Sequence, residues 1–245
     1  MFQFGSALLT VTLLMPTAFP TRGAIWTGWR GPDSNGLALE KRLPAEWGTD
    51  KNIVWKVALP GTGWSQPIVW GEKVFVTAAE TDKQVKPRGG EFDPGLSAGS
   101  FSGGKPVDVI YRWKVLCLDG ATGKVLWERT AHEGKPRTSI HRNNTYASET
   151  PVTDGERVIA YFGNTGLYCY DLSGELLWGK DLGAYPTWLG WGTGSSPVLC
   201  GDRVLVQCDN EKESFLVAFN KKSGDELWRV KRDEKSNWCT PYVWK

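Results

Sequence analysis

The sequence has little with which to hold a metal. Its two histidines, His132 and His141, stand nine positions apart, and its five cysteines (Cys117, Cys169, Cys200, Cys208, Cys239) include no CxxC and no adjacent pair. Neither arrangement has the spacing of a zinc site, so no metal is expected, and an odd cysteine count without framework spacing leaves the redox compartment open. An excess of one charge is also missing: 29 Lys and Arg face 27 Asp and Glu, a formal net charge of +2. That balance gives no reason to expect nucleic acid or an anionic membrane as partner. Long apolar runs are few. The stretch Phe4 to Phe19 (FGSALLTVTLLMPTAF) is uncharged but falls short of the ~20 apolar residues a membrane helix needs. It lies where the core of a secretory signal would, so residues 1–24 are read as a signal peptide, although no Lys or Arg precedes the run; a buried N-terminal segment is the other reading.

Aromatics are plentiful, with 14 Trp, a load suited to stacked β-sheets whose layers are filled by flat rings. They fall into a repeated phrase. Val115–Trp127, Leu167–Trp178 and Leu216–Trp228 each join an apolar run to Asp or Asn, a short turn ending in Gly, and a Trp four residues later. The Trp positions are separated by 51 (178−127) and 50 (228−178) residues, a period that signals a solenoid or propeller. A second phrase interleaves with the first: Pro67–Val74, Pro151–Val158 and Pro197–Val204 align without gaps as strand, Gly-acidic turn, strand. In the middle copy Asp154-Gly155 could itself be the turn, leaving the register open by one residue. Cys117 and Cys169 occupy one repeat position, where the third copy has Ala218, and are read as packing residues.

Together the phrases make four antiparallel strands per repeat, which is one propeller blade. The second and third strands of each repeat are apolar at successive positions, so both sheet faces must be covered, as they are between neighbouring blades. The expected fold class is therefore all-β, a β-propeller of four-stranded antiparallel blades. Three whole blades are counted, with a partial strand at either end: Asn52–Leu59 before them and Thr240–Lys245, a fourth copy of the Pro phrase, after them. An incomplete propeller and a longer natural chain are expected. Residues 25–50 read as an irregular lead-in with turns, residues 51–245 as the partial propeller, and residues 81–109, rich in Gly, Ser and Pro, as a flexible insertion.

Strand alternation puts the short glycine turns on one end of the blades and every long connection on the other, where recognition is expected. Arg142, Asn143, Asn144, Tyr146 and Glu149 lead into an innermost strand and would stand near the central channel; turn chemistry of the Asn pair is the alternative. One blade later Trp188, Trp191 and Thr193 occupy the equivalent connection, beside glycines. They would stack a planar quinone or a sugar ring, or else plug the space between blades. The 129–148 connection, with His132, Lys135, Arg137, His141 and Arg142, is basic enough to receive an anion or is simply solvated. Asp209-Asn210-Glu211 offers oxygens to Ca²⁺ but lacks EF-hand spacing.

The phrase Cys117-Leu118-Asp119 through Thr122-Gly123 to Trp127, with its two copies, resembles the repeat of the PQQ-like β-propellers. That superfamily includes quinoprotein dehydrogenases and the propeller lipoprotein of the outer-membrane assembly machine. Trp29-Arg30-Gly31-Pro32, Tyr161-Phe162-Gly163-Asn164, Gly194-Ser195-Ser196-Pro197 and Trp238-Cys239-Thr240-Pro241 are similar to wording in exported planctomycete-type members. The resemblance implies a bacterial protein of the periplasm or cell envelope, with a protein partner or small ligand at its loop-rich face. In the dehydrogenases, pyrroloquinoline quinone (PQQ) and Ca²⁺ sit at the channel mouth beneath an adjacent Cys-Cys disulfide. This sequence has no such cysteine pair and no stretch matching their Ca²⁺-ligand and catalytic Asp set, so no catalytic residue carries over. A non-catalytic scaffold or binding module is expected; the alternative is a PQQ-dependent dehydrogenase of alcohols or sugars, or a degenerate relative.

Overall fold

A computed structural model describes residues 24–38, 43–83, 106–141, 143–163 and 165–244. Residues 1–23 of the stretch expected to be a signal peptide (1–24), most of the 81–109 insertion and Arg142 lie outside the described residues. The described chain folds into three antiparallel sheets, each a simple meander. Blade 1 contains β2 (Ile68–Gly71), β3 (Lys73–Glu80), β4 (Tyr111–Asp119) and β5 (Val125–Gly134), with β1 (Ala24–Trp26) added beside β2. Blade 2 is built from β6 (Val152–Thr153), β7 (Arg157–Phe162), β8 (Gly166–Asp171) and β9 (Leu176–Lys180). Blade 3 comprises β10 (Val198–Cys200), β11 (Arg203–Cys208), β12 (Ser214–Asn220) and β13 (Glu226–Arg232).

The absence of polar alternation in the middle strands has a direct cause. Successive side chains point to opposite faces of a strand, and each face of blade 2 meets another blade. Val158, Ala160 and Phe162 enter a core with Phe75, Val115 and Trp127 of blade 1, while Ile159 and Tyr161 enter one with Val204, Val217 and Phe219 of blade 3. Cys117 and Cys169 are fully buried in these layers, and burial pushes their thiols up to about 11 and about 12, so they pack as inert side chains.

The repeated Trp and Gly form the joint between blades. Trp127 donates its indole N–H to the Leu172 carbonyl of blade 2 at 3.1 Å, and Trp178 donates to the Lys221 carbonyl of blade 3 at 3.1 Å. Each ring lies flat on the glycine of the receiving turn: a Cβ on Gly174 would stand 2.7 Å from the Trp127 ring, and one on Gly224 would stand 2.7 Å from Trp178. Gly174 also has φ +86, so both its space and its backbone require glycine. The repeated Asp shapes that turn. Asp171 Oδ1 accepts from the Ser173 N–H (2.8 Å), the Ser173 hydroxyl (2.7 Å) and the Glu175 N–H (2.9 Å), and these bonds hold its carboxyl below the usual range.

Four details differ from the expectation or complete it. The lead-in, expected to be irregular, supplies β1, because an Ile-Trp pair finds the open inner edge of β2; the register pairs Trp26 with Val69. Residues 52–59, expected to begin the β pattern, form no strand, yet Trp55 donates to the Gly120 carbonyl at 2.9 Å and covers Gly123 just as the later Trp residues cover theirs. Residues 240–244, expected to be a further innermost strand, have no ladder partner among the described residues and form none. The middle hairpin turns at Gly155-Glu156, in line with Gly71-Glu72 and Gly201-Asp202: the Asp154 N–H faces the Arg157 carbonyl, and Asp154 Oδ1 takes the N–H groups of Glu156 and Arg157.

Candidate functional site

A hydroxyl relay links the blades around their inner edge. The backbone N–H of Gln66 donates to Thr150 Oγ1 (2.9 Å), that of Thr150 to Ser196 Oγ (2.9 Å), and that of Ser196 to Thr240 Oγ1 (3.1 Å). Each acceptor directly precedes a proline, and Pro151 and Pro197 lead into the innermost strands β6 and β10, so a group ahead of one blade is satisfied by the segment ahead of the next. On this scaffold the long connections of blades 2 and 3 converge at one end of the strands.

The 181–197 connection is the centre of that end, and its backbone is tied on every side. Asn144 Nδ2 donates to the carbonyls of Trp191 (2.9 Å) and Thr193 (3.2 Å), and the His141 N–H also donates to Trp191 O (3.1 Å). Ser139 holds the Gly190 carbonyl, Ser236 takes the Trp188 N–H at 2.7 Å, Thr187 Oγ1 takes the Gly192 N–H at 2.8 Å, and Trp238 donates to Gly192 O at 2.8 Å. Within this frame a single 3-10 turn, Trp188–Gly190, carries Leu189 at φ +51. It presents Trp188 and Leu189 to solvent, 50% and 41% exposed. Trp191 lies beneath, edge-on to Trp188 at 4.8 Å and tilted against Trp238 at 5.8 Å.

Below the aromatic layer lie two buried carboxyls. Glu149 accepts from the Gly163 N–H at 3.3 Å and from the Thr193 side chain; burial outweighs these bonds and pushes its pKa up to about 7. Asp209, fully buried, is held by Arg232 Nε (2.7 Å), Arg232 Nη2 (3.2 Å) and Gln207 Nε2 (2.8 Å). A space bordered by Asp209 and lined also by Tyr161, Thr193, Ser195, Gln207 and Trp238 measures about 10 Å³. Ser195 Oγ is buried there without a hydrogen-bond partner among the described residues. A space of that size holds about one water.

The structure thus draws Asn144, Glu149, Trp188, Trp191 and Thr193 into one cluster, with Asn143 at its margin, its N–H donating to His141 Nδ1 at 3.1 Å. Tyr146 stands apart: it is core, edge-on to Tyr111 at 4.9 Å, with its hydroxyl donating to the Thr138 carbonyl. In the basic connection, Lys135 pairs with Asp108 at 2.5 Å, and Arg137 grips Asp181 through two bonds of 2.9 Å. Asp209, Asn210 and Glu211 serve separate partners. Asn210 Oδ1 caps the Lys212 and Glu213 N–H groups, and Glu211 accepts from Ser236. Among the described residues no group of three or more His, Cys, Asp or Glu side chains is placed to hold a metal, and no helix is long and apolar enough to cross a membrane. The Asp209–Arg232 pair and Trp238 were not anticipated. The relay had a visible signal, the Thr-Pro or Ser-Pro step at Thr150, Ser196 and Thr240.

The family model described as outer membrane protein assembly factor BamB matches residues 112–241, more than half of the chain. The chain belongs to the PQQ-like β-propeller family. Among solved structures it is similar to a europium-containing methanol dehydrogenase (14% identity, TM-score 0.43, covering 67% of this chain and 24% of that one). It is similar also to the quinohemoprotein alcohol dehydrogenase ADHIIG of Pseudomonas putida HK5 (17%, 0.41, 72% and 22%) and to BamB of Moraxella catarrhalis (20%, 0.38, 73% and 54%). The chain therefore spans about a quarter of the dehydrogenases and about half of BamB. No curated protein sequence matches it significantly. The described residues of this PQQ-like propeller do not fit the quinone at the blade 2–blade 3 junction: the space there admits about one water, Trp191 is covered on two sides by Trp188 and Trp238, and Asp209 is committed to Arg232.

Proposed function

We propose that this PQQ-like propeller is an exported, non-catalytic binding module that docks a protein partner on its loop-rich face, with Trp188 and Leu189 as anchors. One observation carries the reading: the turn that exposes these two apolar side chains has its backbone bonded to Ser139, Asn144, Thr187 and Ser236. A rigid aromatic anchor binds with little loss of conformational freedom, and exposed Trp in a fixed geometry is typical of interface hot spots. The signal peptide (1–24) and the flexible insertion (81–109) belong to the same proposal, as a route out of the cell and as a partner-contact loop, while the lead-in (25–50) lies with the inner edges of the blades.

Two measurements test it. Titrating the protein with PQQ and Ca²⁺ while following Trp fluorescence, then assaying dye reduction with alcohols and aldose sugars, is expected to give neither saturable quenching nor turnover. Saturable quenching together with turnover would replace the binding module with an oxidoreductase. In cells, a photo-crosslinking residue at position 188 is expected to yield a discrete adduct that Leu189→Ser abolishes, whereas one at Leu177, exposed at the opposite end of blade 2, is not.

A further inference from the structure

The inner edges of the blades offer a second site, at the end of the strands away from the loop-rich face. Val69, Thr153 and Leu199 hold the same position in the three innermost strands. In each hairpin the next residue but one belongs to the tight turn, so the main-chain groups of this middle residue point away from the following strand, toward the channel. The lead-in takes two of the three. Trp26 pairs with Val69, and the Thr27 carbonyl accepts the Thr153 N–H at 2.9 Å. The third, at Leu199, has no hydrogen-bond partner for its N–H or C=O among the described residues.

Leu199 borders a cleft of about 230 Å³. Trp29 and Pro32 of the lead-in turn form one wall, Trp70 and Pro197 supply apolar surface, and the Asp154–Lys221 pair, 3.0 Å apart, closes the turn end. That pairing leaves no charge calling for a countercharged ligand. A volume of this size holds about two residues of extended chain, and the chain itself shows what the edge accepts: an uncharged Ile-Trp-Thr segment laid along the equivalent positions of blades 1 and 2.

We infer that this cleft binds a short, extended, uncharged peptide segment bearing an aromatic or branched apolar residue, which pairs with the main chain of Leu199 as an added strand. Main-chain bonds supply the attachment and the Trp29–Pro32 wall selects the side chain. This site is independent of the loop-rich face, so either can fail without the other.

The probe is acetyl-Ala-Ile-Trp-Thr-amide, the sequence of residues 24–27, added to the whole chain. Saturable binding by calorimetry is expected, with amide exchange at Leu199 slowed at least tenfold at saturation. A probe carrying backbone N-methyl groups is expected not to bind. Leu199→Pro removes the inward N–H on an edge strand that tolerates proline, together with a side chain packed on the blade 2–blade 3 core, and should weaken binding at least about tenfold, the effect of one main-chain hydrogen bond. Absence of saturable binding overturns the inference. So does binding that leaves Leu199 exchange unchanged or that survives N-methylation, and neither of those readouts depends on how the proline variant folds.

Discussion

Trp127→Ala is expected to lower the unfolding free energy by about 3–5 kcal/mol, as for other buried Trp truncations, while Trp228→Ala at the equivalent repeat position costs less than about 1 kcal/mol. The two residues share their motif and their strand position and differ in what covers them. Trp127 is 8% exposed, lies on Gly174, stands 5.9 Å from Phe75, and bonds to Leu172; Trp228 is 37% exposed, with no receiving turn among the described residues. Arg129 reinforces the first joint, stacking 5.8 Å from the Trp127 ring and donating to the Gly174 carbonyl at 2.7 Å. Urea unfolding of both variants decides the matter: equal losses would mean that the Trp supports its own blade and not the contact with the next.

The second large effect is electrostatic. Glu149 is buried with a pKa of about 7 against an ordinary 4.5, so the folded state holds its proton more tightly than the unfolded chain does. The sign follows: the contribution is fully present below the unfolded value and is lost as pH rises through about 7, where folding must bury a carboxylate. A displacement of that size corresponds to roughly 3 kcal/mol. Glu149→Gln removes the titration while keeping the shape. The stability of the variant relative to the parent is therefore expected to rise by roughly 3 kcal/mol between pH 4.5 and pH 8. Taking the difference is essential, because Asp154 and Asp181, both held below the usual carboxylate range, act in the opposite sense as pH falls. A flat difference between pH 4.5 and pH 8 would show that Glu149 stays hydrated.

The blades were legible because everything that defines them is local. Asp171, Gly174 and Trp178 sit within eight positions, and the turn they form repeats with the period of the chain. Apolar runs without alternation announced that both faces of each sheet are covered, which the two cores on either side of blade 2 explain. The pairing of β1 was not legible: a three-residue strand finds its partner more than forty positions away, and nothing in Ala24–Trp26 encodes that register. The site was legible in outline only. Glycines and Trp marked the 181–197 connection, but its shape rests on backbone carbonyls of Gly190, Trp191 and Gly192 meeting side chains from two other segments. Tyr146 shows the limit most clearly. Its neighbours Asn144 and Glu149 reach the junction with blade 3, while one intervening turn sends Tyr146 into the core between blades 1 and 2.

The joint between blades also bears on how such a chain grows. Blades 1 and 2 each carry a Trp for the blade that follows and a glycine turn for the Trp that precedes, so lock and key travel in the same stretch of sequence. Copying one such unit in tandem inserts a blade that already fits both new neighbours, with no compensating substitution on either side. Lengthening by duplication is then neutral at the contacts it creates, and sequence can diverge afterwards in the long connections, where Trp188 and its surroundings lie.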